Sequence, residues 1–273
     1  MEAAICTSIN AFPIVTEQRL ALRLACMEVR GGNHRVEYPV ELPGLRGWVY
    51  SNPLEPAISG GDVHYLSVCA KGVLSRTLLA DVAGHGQPVS GMAQTLRSLV
   101  LKHMNSWDQS TLMRDLNEAF RMPAGDWRYA TAVVLGFYCG TRELVFTNAG
   151  HPSPLWYHAE YGTWDWLEET PMYRRTIEGL PLGLISGTSY VQSAVQLAPG
   201  DLLILYTDGI TEAQDAAGRE LGVQGLLRMA YALPTISPGA AGKALLELLR
   251  EFGSNTMNED DQSLIVLQEN SEF

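Results

Sequence analysis

Four aspartates are the residues of this chain best suited to chemistry: Asp62, Asp81, Asp208 and Asp260. Glycine or a second acidic residue accompanies each of them in a short segment. Glycine lets the backbone approach closely, so that carbonyl oxygens or waters can share a site with a carboxylate. Oxygen ligands of this kind suit Mg²⁺ or Mn²⁺. Taken singly, each segment is equally well interpreted as a turn, because Asp-Gly is first of all a turn-forming pair.

Two histidines lie in glycine-containing segments. His85, between Gly84 and Gly86, is a candidate general acid because an imidazole titrates near neutral pH. The alternative, that His85 only shapes the turn, stays open. His151 is interpreted as a structural residue. A serine hydrolase is the weakest interpretation, because the sequence contains no G-x-S-x-G segment.

Composition narrows the class of protein. The 273 residues carry a net charge of −11, which disfavours a nucleic-acid partner. No run of about 18 apolar residues occurs, so no membrane span is predicted. The four cysteines form no C-x-x-C pair, and the first residues lack the basic and apolar regions of a signal peptide. These features together predict a cytoplasmic protein.

Periodicity predicts an α+β fold. Apolar spacing predicts helices at 89–104, 110–121, 223–232 and 238–252, with Ser110 as the N-cap of the second. Alternating or β-branched segments predict strands at 22–29, 36–42, 63–70, 73–82, 129–139, 143–148, 155–158, 190–197, 202–207 and 263–268. Gly31-Gly32-Asn33 is expected to join the first two strands as a hairpin. Hairpin connections dominate, which favours antiparallel sheets with helices outside them.

Six ordered segments resemble the bacterial branch of the metal-dependent PPM (PP2C-type) serine/threonine phosphatases, the SpoIIE/RsbU-like group. The resemblance covers roughly residues 59–268. It depends on Gly60-Gly61-Asp62, Ala80-Asp81-Val82-Ala83-Gly84-His85-Gly86, Thr147-Asn148-Ala149-Gly150-His151-Pro152, Leu180-Pro181-Leu182-Gly183, Leu205-Tyr206-Thr207-Asp208-Gly209-Ile210-Thr211-Glu212 and Asp260-Asp261-Gln262-Ser263.

This resemblance implies a PP2C-like sandwich of two antiparallel β-sheets flanked by pairs of α-helices. It also implies a site for two Mn²⁺ or Mg²⁺ ions at one edge. Asp81 would bridge the ions with help from the Val82 carbonyl, and Asp62 would act mostly through bound water. Asp208 and Asp260 would complete the site, with Asp261 as the substitute for Asp260, because adjacent acids leave the register open.

The implied activity is hydrolysis of phosphoserine or phosphothreonine on a regulatory protein. A hydroxide held between two cations would attack phosphorus in line, without a covalent phosphoenzyme. An anti-sigma antagonist-like protein is the implied type of substrate. The alternative is a catalytically inactive module of the same fold that binds a phosphoprotein. The retention of all four aspartates argues against that alternative.

Some features depart from the family or extend it. Tyr65 stands where members often carry a second aspartate, and no arginine among Arg19, Arg23 and Arg30 is assigned to the substrate phosphate. All 273 residues are interpreted as one domain, with residues 1–58 an N-terminal extension or first hairpin. The helix pair at 89–121 is either a simple outer layer or, as in related enzymes, a regulatory switch and homodimer surface.

Overall fold

Strands predominate in the computed structural model, which describes residues 21–83, 87–103, 106–121, 129–168, 179–253 and 260–270. The described strands are β1 (Leu22–Arg23), β2 (Val29–His34), β3 (Val36–Leu42), β4 (Leu45–Asn52), β5 (Ser59–Cys69), β6 (Leu74–Val82), β7 (Ala130–Tyr138), β8 (Glu143–Ala149), β9 (Leu155–His158), β10 (Thr163–Trp166), β11 (Ser193–Gln196), β12 (Leu202–Tyr206) and β13 (Gln262–Glu269). The described α-helices are α1 (Gln87–Lys102), α2 (Gln109–Phe120), α3 (Asp208–Thr211), α4 (Gly222–Ala230) and α5 (Pro238–Gly253).

The strands form two sheets. Sheet A has the order β1-β3-β4-β13-β12-β9-β10, and sheet B has the order β11-β8-β7-β6-β5-β2. All pairings are antiparallel except the short parallel pair of β1 with β3. The predicted α+β sandwich of two antiparallel sheets is therefore confirmed.

Three apolar clusters hold four layers together. The central cluster joins the inner faces of both sheets, for example Leu66 and Leu79 of sheet B with Leu205 and Ile265 of sheet A. A second cluster packs α1 and α2 on the outer face of sheet B. The third packs α4 and α5 on the outer face of sheet A. Each sheet thus buries both faces, which suits its long apolar strands.

The predicted first hairpin is wrong. Gly31 and Gly32 lie inside β2, which pairs with β5 in sheet B, whereas β3 pairs with β4 in sheet A. A Cβ at Gly31 would lie 2.0 Å from the His64 carbonyl oxygen, so this glycine serves close strand contact. The true turn is Pro43-Gly44, where Gly44 has a φ of 71°, and it leads into β4, which periodicity had missed.

The segment Pro199-Gly200-Asp201 turns the chain as predicted but does not join paired strands. β11 pairs with β8 in sheet B, whereas β12 pairs with β13 and β9 in sheet A. Asp201 secures this crossing: its carboxylate accepts hydrogen bonds from Trp156 Nε1 at 3.0 Å and from the Ala159 amide at 2.8 Å. The turn therefore changes sheets instead of closing a hairpin.

Helix starts follow their capping residues. α2 begins after Asp108, whose carboxylate accepts the Thr111 amide at 3.1 Å, so Asp108 and not the predicted Ser110 is the N-cap. α5 follows Ser237, whose hydroxyl accepts the Ala240 amide at 3.2 Å, and Pro238 occupies the first helical position.

Arg76 fastens the α1–α2 pair to sheet B. Its side chain lies on β6 at 1% exposure. The guanidinium donates to the His103 carbonyl at 2.8 Å and to the Ser106 carbonyl, both in the connection between the helices. Burial lowers the pKa of Arg76. The carbonyls that follow α1 are therefore satisfied by the sheet beneath them.

Helix α5 packs unusually close to sheet A at Gly242. A Cβ added there would lie 2.3 Å from Trp48 Cε3, whereas one added at Gly239 would lie 3.6 Å from Trp48 Cδ1. Glycine to alanine in a helix normally stabilises by about 1 kcal/mol. We expect Gly242→Ala instead to lower the free energy of unfolding by about 1–3 kcal/mol through overpacking.

Urea unfolding measures this effect, and Gly239→Ala on the same helix is the matched control, expected to be neutral or stabilising. Equal stabilisation by both substitutions would contradict the close contact between α5 and Trp48.

None of the helices in the described ranges is long and apolar enough to cross a membrane. Cys26, Cys69 and Cys139 are all free thiols.

Candidate metal centre

Asp62 and Asp81 face each other on neighbouring strands of sheet B. They form a directly opposed pair of β5 and β6, and Thr131 of β7 lies opposite Asp81 on the other side. Opposed residues on paired strands project from the same face. Leu66 and Leu79 share that face and belong to the cluster between the sheets. The two aspartates therefore point toward sheet A.

Asp208 and Asp260 lie at the facing edge of sheet A. Asp208 is the first residue of α3, directly after β12, and Asp260 precedes β13, the strand paired with β12. A Cβ at Gly209 would lie 2.1 Å from the Asp261 carbonyl oxygen and 3.3 Å from Asp260 Cβ. Only glycine therefore lets the start of α3 lie against residues 260 and 261.

Thr207 joins the two edges. Its hydroxyl donates to Asp62 Oδ2 at 2.7 Å and accepts the Ser263 amide at 3.0 Å. One side chain thus links β5 of sheet B to the β12 and β13 ends of sheet A. The distant segments that carry Asp62, Asp81, Asp208 and Asp260 meet where the sheets adjoin.

Mutual repulsion shows how closely the acids are grouped. Burial first, and then the charges of Asp208, Asp260, Asp261 and Glu212 in that order, together raise the pKa of Asp81 to about 7. Burial, which leaves Asp62 only 3% exposed, also raises the pKa of that carboxyl well above its usual range, while the Thr207 hydroxyl opposes the shift. The site is an acidic cluster with no cationic side chain among the causes of these shifts.

Glu212 is a site residue that the sequence analysis did not single out. Burial raises its pKa, and the charges of Asp208 and Asp260 add to the rise. It lies four residues after Asp208, a spacing that puts two side chains on one face of a helix. That spacing was the signal available in the sequence.

The structure separates the roles of the adjacent Asp260 and Asp261. The Asp261 carboxylate accepts the Leu54 amide at 2.6 Å and the Gly61 amide, and it fills the space where Gly60 would carry a Cβ. The Asp260 side chain is exposed, and among the described residues it accepts only the neighbouring Asp261 amide. Asp260 therefore has oxygen atoms available to a ligand, whereas Asp261 holds the 54–61 loop.

Val82 ends β6 beside Asp81, opposite Ala130. Ala130 donates its amide to the Leu182 carbonyl at 3.0 Å and accepts the Leu182 amide at 2.7 Å. Because the Ala130 amide and carbonyl both bond to Leu182, Ala130 does not donate a hydrogen bond to the Val82 carbonyl. The arrangement agrees with the predicted use of the Val82 carbonyl, which stays a prediction.

His151 is buried between the two sheets. Its Nδ1 lies 2.8 Å from the Thr131 hydroxyl, and Asn148 brackets its backbone by accepting its amide and donating to its carbonyl. Burial lowers the pKa of His151 to about 3, partly opposed by the Tyr206 carbonyl. His151 therefore contacts the residues flanking the cluster as a neutral imidazole, in keeping with its structural interpretation.

The His151 pKa predicts a pH dependence of stability. Because the folded-state pKa lies below the unfolded value of about 6.5, the unfolded chain binds the proton first as pH falls. The contribution of His151 is complete above pH 6.5 and declines toward pH 3, by at most about 1.4 kcal/mol per pH unit. In His151→Gln, we expect lower stability at pH 7.5 and a shallower decline between pH 6.5 and 4.5.

Urea unfolding over this pH range tests the assignment. Thr131→Val keeps the histidine and removes only its hydroxyl partner, so this control should retain the wild-type slope. Identical slopes for His151→Gln and wild type would assign the acid sensitivity to other groups.

Two predictions made from the sequence about this site are not tested by these contacts. His85 lies outside the described residues. Within the described ranges, no three His, Cys, Asp or Glu side chains are grouped tightly enough to hold one metal ion. The metal ligands predicted at Asp62, Asp81, Val82, Asp208, Asp260 and Asp261 therefore remain predictions, supported by the shared location and charge of the aspartates.

Solved structures with this architecture are PP2C-type phosphatase domains, which identifies the fold. Residues 74–270, more than half of the chain, match the family described as Stage II sporulation protein E (SpoIIE). The chain belongs to that family, as the resemblance predicted. It is thus distantly related to PP2C-type serine/threonine phosphatases.

Individual relatives of known sequence support this family assignment. "Protein IcfG" of Synechocystis is 24% identical over 75% of this chain and 37% of its own length. "Phosphoserine phosphatase RsbU" of Bacillus subtilis is 25% identical over 51% of this chain and 40% of its own. The chain thus spans about two fifths of the length of each of these relatives.

Structural neighbours cover most of the chain. The RsbU and RsbW domains of a Mycobacterium tuberculosis protein are 24% identical, with a TM-score of 0.70 over 87% of this chain and 63% of that one. The SiaA-PP2C domain of Pseudomonas aeruginosa is 20% identical, with a TM-score of 0.68 over 81% and 85%. The catalytic domain of PstP, solved with two manganese ions, is 16% identical, with a TM-score of 0.55 over 82% and 97%. At these identities the likeness establishes the fold.

Proposed function

We propose that this chain is a metal-dependent protein phosphatase that hydrolyses phosphoserine or phosphothreonine on a regulatory protein. The observation that carries the proposal is the meeting of Asp81, Asp208, Asp260 and Glu212 at one edge, close enough for their charges to raise the pKa of Asp81. A folded protein maintains such repulsion at a cost, and perturbed carboxyl groups of this kind mark functional sites.

The donor set fits divalent cations. The available groups are carboxylate oxygens with a backbone carbonyl nearby, which suit Mg²⁺ or Mn²⁺ and disfavour softer metals. Asp81, Asp208 and Asp260 would hold two ions, with the Val82 carbonyl beside them. Buried Asp62, fixed by Thr207, would act on the outer coordination shell. The ions would supply an activated water and neutralise charge on the phosphoryl oxygens.

The residues of the chain supply positioning. Sheets A and B hold Asp81 and Asp208 from opposite sides, and Thr207 fixes the distance between the edges through Asp62. Asp261 fixes the Gly60-Gly61 backbone by accepting from the Leu54 and Gly61 amides. A phosphoryl group bound at the edge would therefore meet carboxylates that are already in place, which lowers the cost of reorganisation. His85 stays the predicted proton donor to the leaving oxygen.

The proposed substrate class is inferred from the relatives. RsbU carries the name of a phosphoserine phosphatase, and a phosphorylated regulatory protein of the anti-sigma antagonist type is the substrate that we propose here. A protein substrate also suits the exposure of Asp260, which a side chain on another protein can approach.

The test is turnover by the purified chain. We expect hydrolysis of p-nitrophenyl phosphate and of a phosphoserine peptide with Mn²⁺ or Mg²⁺, abolished by EDTA and restored by excess metal. Binding of the phosphopeptide with no turnover under any metal condition would overturn the proposal and favour the inactive binding module. Turnover that persists undiminished in EDTA would exclude the metal assignment.

A further inference from the structure

A cavity of about 870 Å³ adjoins the acidic cluster. It lies between the C-terminal half of α5 and the loop that joins α3 to α4. Asp260 and Glu212 border it on the side of the cluster, and Leu246 and Leu249 of α5 line its floor. Clefts of this size hold several side chains of a ligand, far more than one phosphate group. The cavity therefore has room for polypeptide beside the proposed reaction site.

Arg250 is the only lysine or arginine among the described residues that line this cavity. Across the described ranges, its guanidinium has no hydrogen bond or ion pair. Burial raises the pKa of Tyr50, another lining residue, and the nearby charge of the Arg250 guanidinium partly opposes that rise. A planar donor group with no internal partner is suited to bind a carboxylate from outside.

The acidic residues around the cavity are largely accounted for. Asp215 forms an ion pair with Arg219 at 2.7 Å. Asp260 and Glu212 belong to the cluster, and bound cations would offset their charge. Glu220 is the remaining acid of the lining. In the metal-bound protein, Glu220 would therefore be the one described acid of the lining whose charge is not offset by an ion pair or a cation.

Other arginines that could recognise an anion are engaged elsewhere. Arg23 pairs with Glu41 at 2.5 Å, and Arg30 pairs with Glu28. Arg35 pairs with Glu55 at 3.1 Å beside the 53–58 loop. Among the described arginines, Arg250 is the one that lines the cavity beside the cluster.

We propose that this cleft binds the segment of the phosphoprotein that flanks the phosphoresidue, and that Arg250 selects an acidic side chain in that segment. Leu246, Leu249 and Tyr50 would contact the apolar part of the same segment. The inference rests on the proposed phosphatase function and adds a specificity residue to it. The cleft extends from the reaction site along α5, so the acidic residue recognised lies a few positions away from the phosphoserine.

The experiment uses phosphoserine peptides in an alanine background, with one glutamate moved stepwise from four residues before the phosphoserine to four after it. A second series carries lysine instead. At one or two positions, we expect the wild-type protein with Mn²⁺ to prefer glutamate over lysine about tenfold or more in kcat/KM. Arg250→Ala should abolish this preference, and Arg250→Glu should reverse it.

Two comparisons test whether the effect of Arg250 is specific to the peptide substrate. The ratio of kcat/KM for the preferred glutamate peptide to that for p-nitrophenyl phosphate should fall about tenfold in Arg250→Ala. Lys243→Ala is the matched control, because Lys243 lies two turns earlier on α5 and faces Glu37 at 3.7 Å instead of the cavity. This control should leave the ratio unchanged.

The outcomes separate the two proposals. If the wild-type protein turns over p-nitrophenyl phosphate and peptides without any dependence on the position of charge, the cleft inference fails and the phosphatase function stands. An equal loss for peptide and p-nitrophenyl phosphate in Arg250→Ala would place Arg250 on the phosphate itself and overturn the inference. No metal-dependent turnover of any substrate would refute the proposed function instead.

Discussion

Asp81→Asn is expected to lower the phosphatase activity at least about 10³-fold, because metal ions contribute several kcal/mol to the stabilisation of transition-state charge. Burial raises the pKa of Asp81, and the charges of Asp208, Asp260, Asp261 and Glu212 add to that rise. The same substitution removes a repelled charge from the metal-free protein. In EDTA we therefore expect its Tm to equal or exceed that of the wild type.

The measurement pairs turnover with thermal unfolding, each with and without Mn²⁺. The wild-type protein should gain Tm from Mn²⁺, because a ligand that binds only the folded state stabilises it. Asp81→Asn should lose most of that gain. Asp165→Asn, at an exposed position of β10, is the control and should behave as the wild type. An active Asp81→Asn variant would exclude Asp81 as a metal ligand.

Asp260→Asn is expected to lower mainly the activity, whereas Asp261→Asn is expected to lower mainly the free energy of unfolding. Asp260 is exposed, and within the described part of the chain its partner is a neighbouring amide, so its substitution should lower activity about 100-fold or more with little change in stability. Asp261 accepts two backbone amides. An asparagine there keeps one acceptor oxygen and leaves one amide unsatisfied, which costs about 1–3 kcal/mol of unfolding free energy.

Urea unfolding and Mn²⁺ titrations of activity distinguish these two effects. Asp261→Asn should retain a metal response, weakened because the 54–61 loop carries the backbone next to Asp62. Asp261→Ala, which removes both acceptors, should be less stable than Asp261→Asn. The assignment would be reversed if Asp261→Asn lost the metal response at full stability while Asp260→Asn kept it.

Sequence periodicity was sufficient to predict the central strands of sheet B. β5, β6, β7 and β8 are neighbours in sequence and in space, and β5–β6 and β7–β8 are joined by short turns. The failures occurred where chain neighbours belong to different sheets. Gly31-Gly32-Asn33 has the composition of a turn, but these residues continue β2 along β5. The turn at Pro199-Gly200-Asp201 is real, yet only the tertiary bonds of Asp201 determine that it crosses between sheets.

Prediction of the candidate site from the sequence also failed where it depended on tertiary contacts. The motif resemblance singled out Asp62, Asp81, Asp208 and Asp260, and the structure brings the segments that carry them to one edge. The sequence left Asp260 and Asp261 equivalent, because their difference depends on amides that are 200 or more positions away. Glu212 was recognisable only as a helical neighbour of Asp208. Arg250 gave no signal at all, since its role depends on the cavity that α5 forms with the α3–α4 loop.

The position of β13 has a consequence for synthesis of the protein. This strand lies between β4 and β12 in sheet A, and all eight of its residues are buried. It is translated after every other strand in the described ranges. On the ribosome, β4 and β12 must therefore wait as unpaired edges until residue 269 has emerged, and chaperones would be most needed in that interval.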